Sequence, residues 1–129
     1  HNHKPNLVVY TGTHDNDTSV GWFRSLPEAR QHRIRAYTMS DGRDIAWDMI
    51  RMAWASVARL AIVPLQDVLM LDSSARMNRP GVPDGNWRWR LTSDQPIAER
   101  LDGLRGLGEL YDRLPPTAVE EPASPDPAA

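Results

Sequence analysis

The sequence predicts an α/β fold with a parallel sheet, and three observations support this prediction. Residues 7–10 and residues 60–63 are apolar at every position, which is typical of short strands buried on both faces. A helical pattern separates the two runs. The order strand, helices, strand describes a crossover between parallel strands. We therefore expect the carboxyl ends of both strands to lie side by side.

Two helices are predicted between the strands. Residues 28–37 form the first, because Pro27 suits a first helical turn and Glu28 lies near the positive helix end. In the second, apolar residues recur at steps of three and four, which predicts one buried stripe. That stripe comprises Ile45, Ala46, Met49, Ile50, Ala53, Trp54, Val57 and Ala58.

A long loop and a last helix follow the second strand. Residues 72–90 are rich in Gly, Pro and Asn, and loops of this length are usually either functional or disordered. Residues 93–113 predict a helix, in which each of three glycines weakens the helix by up to about 1 kcal/mol. Its predicted buried residues are Ile97, Leu101, Leu104, Leu107 and Leu110. Residues 114–129 contain too little apolar surface to fold, and we expect them to be disordered.

Composition excludes several classes of protein. Acidic side chains outnumber basic ones by 17 to 15, so no overall positive charge draws the chain to nucleic acid. No apolar run approaches the roughly 18 residues that a membrane span needs. Cysteine is absent, which excludes disulfides and thiolate sites and is compatible with the cytoplasm, where we expect the protein to be located.

The densest polar segment, residues 11–18 (TGTHDNDT), directly follows the first strand. One interpretation is an Asx turn, in which Asp15 and Asn16 hydrogen-bond to their own backbone. The other is a ligand site containing His14 and Asp15, since ligands of α/β proteins gather at the carboxyl ends of strands. The position after the strand favours the ligand site.

A second polar group comprises Gln66 and Asp67 after the second strand, together with residues 76–90. Its glycines and arginines are explained equally well as turn residues and solvated side chains. The functional interpretation places the Asn78 amide and one indole against a polyhydroxylated ligand, because an amide both donates and accepts hydrogen bonds.

Two strands alone would leave both sheet edges with unpaired backbone groups. The chain also opens at His1, with the first strand only a few residues away and no targeting segment before it. We therefore expect a piece of a longer protein, whose missing strands come from the rest of that polypeptide or from other copies.

Four motifs together resemble the C-terminal end of the 4-α-glucanotransferase family, also called amylomaltases or disproportionating enzymes. They occur in the same order and extend to about Leu91. The motifs are VVYTGTHDNDT at residues 8–18, PLQDVL at 64–69, ARMNRPG at 75–81 and GNWRWRL at 85–91.

This resemblance implies that residues 1–113 supply the last two βα units of a TIM (β/α)8 barrel, with helices covering the parallel strands. It further implies transfer of α-1,4-glucan segments, with retention of configuration, between maltooligosaccharides or chains derived from starch or glycogen. Retaining transfer needs a carboxylate nucleophile and an acid/base carboxyl group. In the family both lie on earlier strands, so the fragment alone is expected to be inactive.

The resemblance also implies roles for three residues. Asp15 matches the family's third carboxylate, which binds hydroxyl groups of the transferred sugar and stabilises the transition state. His14 matches a histidine that hydrogen-bonds to the same sugar. Asn78 lies in the family's mobile loop, where contacts to the acceptor glucose are expected. Neither a metal nor an organic cofactor is implied.

Two alternatives come from other functional classes. Trp22, Trp87 and Trp89 are compatible with a non-catalytic glucan-binding module. The pair His14 and Asp15 is also compatible with a metal-dependent phosphohydrolase, although such pairs lie on helices and need further His and Asp ligands.

Overall fold

The computed structural model describes residues 2–115, which contain two strands and five α-helices. None of these helices combines the length and the apolarity needed to cross a bilayer. Residues 116–129, most of the tail predicted to be disordered, lie outside the described residues. In chain order the elements are β1 (Val8–Tyr10), α1 (Ser19–Ser25), α2 (Glu28–Thr38), α3 (Ile45–Trp54), β2 (Leu60–Ile62), α4 (Leu65–Val68), a 3-10 turn (Ser73–Ala75) and α5 (Ile97–Leu110).

The two strands pair in parallel, with Val8 opposite Leu60 and Tyr10 opposite Ile62. This pairing confirms the predicted α/β class and the parallel arrangement. The prediction of burial on both faces is wrong for one face. Those four side chains point to the same side and are 41% to 50% exposed. The described helices leave that side uncovered, whereas the alternate residues on the other side are partly buried.

Helix α3 lies at the centre of the core, as its apolar stripe predicts. Its first turn packs with Val20 and Phe23 of α1, while Ile50 packs with α4 and α5. One member of the predicted stripe is exposed: Val57, at 60%, lies beyond the end of α3 at Trp54 and therefore leaves the helical face. The fully or nearly fully buried members are Ile45, Ala46, Ile50, Ala53 and Ala58.

Helix α2 confirms the helix predicted over residues 28–37, but α1 and α4 were not predicted as helices. Both are short, with seven and four residues, so their apolar residues do not complete a helical period. The amide of Gly21 donates to the Thr18 side chain, at 3.1 Å, which caps the start of α1. This cap fixes where the loop after β1 ends.

The last helix is shorter than predicted at both ends, since α5 begins at Ile97 and ends at Leu110. Leu107 is buried as expected, but Leu101 and Leu110 are exposed at 49% and 63%. Arg113 lies beyond the helix and its guanidinium donates to three carbonyl groups at the end of α3 and just after it. These are the carbonyls of Trp54 at 2.6 Å, Ser56 at 2.6 Å and Ala58 at 3.0 Å. The chain after α5 thereby completes hydrogen bonds that α3 leaves open.

Two of the three glycines in α5 allow close packing. A Cβ at Gly108 would lie 2.6 Å from Leu114 Cδ2, and one at Gly103 would lie 3.0 Å from Trp47 Cη2. Gly106, in contrast, has no such heavy atom within 4 Å. Only Gly106 therefore weakens the helix without a packing reason.

We expect Gly106→Ala to raise the free energy of unfolding by about 1 kcal/mol, because alanine has the higher helix propensity. Gly108→Ala, the matched variant, should raise it by less, since its methyl group would have to displace the Leu114 side chain, which offsets part of the gain in helix propensity. Urea unfolding monitored by circular dichroism measures both. Equal stabilisation by the two variants would contradict the packing of α5 described above.

Candidate functional site

Most polar side chains in the loop after β1 hold the loop itself. The amide and the hydroxyl of Thr13 donate to Asn16 Oδ1, at 2.8 Å and 2.9 Å, and the Asn16 amide donates back to the Thr13 carbonyl at 3.1 Å. Asn16 therefore forms the local turn that the first interpretation of this segment predicts. Asp15 is one of the two central residues of the turn, but its side chain makes no hydrogen bond within it.

Asp17 connects the loop to the 3-10 turn. Its carboxylate accepts from the Thr18 amide and from the Ser73 hydroxyl, both at 2.8 Å. Gly21 allows this approach, because a Cβ there would lie 2.2 Å from Ser73 Oγ. At the start of the 3-10 turn, hydrogen bonds from the Ser74 hydroxyl and amide lower the pKa of Asp72.

The side chains of His14 and Asp15 take no part in the hydrogen bonds that hold the loop together, and they are exposed. Their side chains are 55% and 51% exposed, and His14 Nε2 lies 3.4 Å from Asp15 Oδ1. Both follow the carboxyl end of β1. An imidazole and a carboxylate held side by side in this way can hydrogen-bond to neighbouring hydroxyl groups of one ligand.

A second loop, residues 76–78, is hydrogen-bonded to His14 and Asp15. The Asn78 side-chain amide donates to Asp15 Oδ1 at 2.6 Å, and its backbone amide donates to the His14 carbonyl at 3.1 Å. Arg76 donates through Nη2 to the Asp15 carbonyl at 2.7 Å, and through Nε to the Asn78 carbonyl at 2.8 Å. The structure thus brings together all three residues that the sequence singled out.

Trp87 completes this cluster. Its ring centroid lies 5.1 Å from that of His14, with the ring planes tilted by 37°. Its amide donates to the Met77 carbonyl at 2.7 Å, and its φ of 62° is unusual for a bulky residue. Trp22 lies on α1 and lines a smaller cavity of about 300 Å³ with Asp17 and Met49.

A cavity of about 560 Å³ opens at the carboxyl ends of both strands. This volume lies within the range of roughly 300 to 1,000 Å³ that is typical of small-molecule sites. Asp15 does not line the cavity but lies beside it, in contact with His14. Residues from both strand ends and both loops form the walls, among them Tyr10, Ile62, His14, Gln66, Asp67 and Arg76.

Sequence reasoning gave no specific role to Asp67 or Arg76. Asp67 is 1% exposed and accepts three hydrogen bonds from the β1 end and from α1. The sequence signal was the placement of an acidic residue three positions after Pro64, which ends the second apolar run. Within residues 2–115, His, Cys, Asp and Glu side chains nowhere gather in groups of three that could hold a metal ion.

Comparison with known proteins identifies the relatives of this chain. A family model described as 4-alpha-glucanotransferase matches residues 1–95. The chloroplastic/amyloplastic 4-alpha-glucanotransferase of Oryza sativa is 48% identical over 121 residues, which cover 88% of this chain and 20% of that protein. The 4-alpha-glucanotransferase of Thermus thermophilus is 43% identical over 114 residues, covering 84% of this chain and 23% of that protein.

A solved structure agrees with these sequence matches. The amylomaltase of Streptococcus agalactiae, in complex with acarbose, superimposes with a TM-score of 0.82 and 30% identity. The superposition covers 87% of this chain and 23% of that one. The chain therefore spans about a fifth to a quarter of the length of its curated relatives. Because the family model covers well over half of the sequence, this chain belongs to the 4-alpha-glucanotransferase family.

Proposed function

We propose that this chain acts as the C-terminal part of a 4-α-glucanotransferase, and that residues 1–113 form the last two βα units of its TIM barrel. The observation that carries the proposal is the exposed His14 and Asp15 pair at the carboxyl end of β1. Active sites of TIM barrels lie at that end of the strands. The family membership supports the same reaction class.

The proposed substrates are α-1,4-glucans, such as maltooligosaccharides or chains from starch or glycogen. The Streptococcus agalactiae relative was solved with acarbose bound. Asp15 and His14 would hydrogen-bond to hydroxyl groups of the sugar being transferred. Such bonds lower the barrier when they strengthen as positive charge develops on the sugar ring.

The nucleophile and the acid/base group would come from strands outside this chain. The two carboxylates that line the cavity, Asp17 and Asp67, already accept hydrogen bonds on both oxygens. They are therefore poorly placed for attack or proton transfer. We propose that the fragment alone does not catalyse transfer.

Asn78 would act at two points. Its side-chain amide orients Asp15 through the 2.6 Å hydrogen bond. Its partly buried position beside the cavity also suits a contact with the acceptor sugar, as the family resemblance implies. The chain directly after Asn78 is held by Asn86, which accepts from the Arg79 amide and donates to the Val82 carbonyl.

A cytoplasmic location stays a proposal from the cysteine-free composition. The relatives from Oryza sativa and Arabidopsis thaliana are named chloroplastic/amyloplastic. The proposed reaction does not depend on the location.

The central prediction concerns Asp15. In the complete enzyme that contains this chain, Asp15→Asn should lower the rate of maltotriose disproportionation by about a hundredfold or more, because the neutral amide stabilises a positive transition state less well. Product oligosaccharides separated by chromatography measure the rate. The thermal unfolding midpoint should change little, since Asp15 is half exposed. Near-normal turnover would remove Asp15 from its proposed role.

A second prediction separates Asn78 from the loop that carries it. Asn78→Ala removes the hydrogen bond to Asp15, and we expect kcat/KM to fall about tenfold, the value typical of one bond to a charged group. Asn86→Ala is the matched control, because Asn86 orders the same loop without contacting His14 or Asp15. Equal losses in the two variants would mean that loop order, and not the Asn78 amide, matters.

A further inference from the structure

Asp67 is the only aspartate among residues 2–115 that is almost completely buried, and the proposed chemistry does not use it. It lies on α4, which follows β2 after two residues. With 1% of its surface exposed, it has no room to contact a sugar directly. Asp67 is nevertheless among the residues that line the same cavity as His14. Asp67 can therefore affect the reaction only through the residues that donate hydrogen bonds to its carboxylate.

Those groups are the two ends of one loop. At the start of the loop, the Thr11 hydroxyl donates to Asp67 Oδ2 at 2.8 Å. At its end, the Ser19 amide donates to Oδ1 at 2.7 Å and the Ser19 hydroxyl donates to Oδ2 at 2.8 Å. The residues between these ends include His14 and Asp15. One carboxylate thus closes the loop that presents the proposed sugar-binding pair.

The chemistry of the three donors explains why the residue is an aspartate. An ionised carboxylate only accepts hydrogen bonds, and its two oxygens offer about four acceptor positions. Asparagine has the same shape but no charge, so the two hydroxyl groups would have to turn and accept from its amide, and charge-assisted bonds would be replaced by weaker neutral ones. Within the described part of the chain Asp67 makes no ion pair. The three neutral donors are therefore what compensates its burial.

We infer that Asp67 is a positioning residue, which fixes both ends of the loop after β1 and thereby holds His14 and Asp15 against the cavity. Because Asp67 belongs to the β2 side of the sheet, it ties the β1 loop to the neighbouring strand. The inference rests on the proposed function for its kinetic consequence. Misplacing a catalytic group by about 1 Å lowers a rate by about a hundredfold.

The test compares Asp67→Asn with Asp48→Asn in the complete enzyme. Asp48, on α3, is the matched control, because its carboxylate accepts a hydrogen bond of 2.5 Å from the Ser40 hydroxyl and does not line the cavity. We expect Asp67→Asn to lower kcat and kcat/KM together, by about tenfold to a hundredfold. Asp48→Asn should leave kcat unchanged when both are assayed well below their unfolding temperatures and normalised to folded protein.

Two substitutions at Thr11 disturb the structure less, and they test the same inference if Asp67→Asn does not fold. Thr11→Val removes one donor while keeping the shape of the side chain, and we expect kcat to fall about tenfold. Thr11→Ser keeps the hydroxyl and should restore most of the activity. Equal kcat values for Thr11→Val and Thr11→Ser would overturn the inference, as would wild-type kcat in Asp67→Asn.

Hydrogen exchange provides a readout that does not depend on activity. In Asp67→Asn, or in Thr11→Val, backbone amides of residues 12–19 should exchange faster, while those of α3 keep their wild-type rates. Unchanged exchange in the loop would overturn the inference. If the wild-type enzyme transferred no glucan, the proposed function would fail, and the exchange result would still decide whether Asp67 holds the loop.

Discussion

The parallel pairing of β1 with β2 is the constraint on which the site depends. Only three residues pair on each strand, but parallel pairing places both carboxyl ends at the same edge of the sheet. The loop after β1 therefore meets α4 and the loop at residues 76–78, although they are more than 50 positions apart in sequence. A shift of one residue in register would turn every strand side chain to the opposite face and separate these partners.

The seven polar residues among positions 11–18 divide into two groups with different tasks. Thr11, Thr13, Asn16, Asp17 and Thr18 hydrogen-bond to backbone or to neighbouring elements and so fix the path of the chain. His14 and Asp15 are left with exposed side chains. A loop of this kind is rigid because its polar groups are satisfied internally, and the two remaining side chains are presented in one orientation.

The sequence predicted the features that follow from local pattern. Strand positions, the polar helix α2 and the buried stripe of α3 come from periodicity, and the proximity of His14, Asp15 and Asn78 follows from the motifs. It could not separate the task of Asn16 from that of Asp15, because both residue types form Asx turns. The burial of Asp67 could not be predicted either, because its hydrogen-bond donors, Ser19 and Thr11, lie 48 and 56 positions earlier in the sequence. Helix α1 was missed because seven residues hold too little periodic signal.

The hydrogen bond between the Asn78 amide and Asp15 has a consequence for ground-state affinity. An incoming hydroxyl group that binds Asp15 Oδ1 must share this oxygen with an amide already 2.6 Å away, or displace it. Part of the enthalpy gained on binding is thereby cancelled by the bond that weakens. The Asn78 bond also fixes the orientation of the Asp15 carboxylate, however. Its negative charge can therefore attract a ligand that acquires positive charge without first having to reorient. Under the proposed function, the contact would therefore favour turnover over tight retention of the sugar.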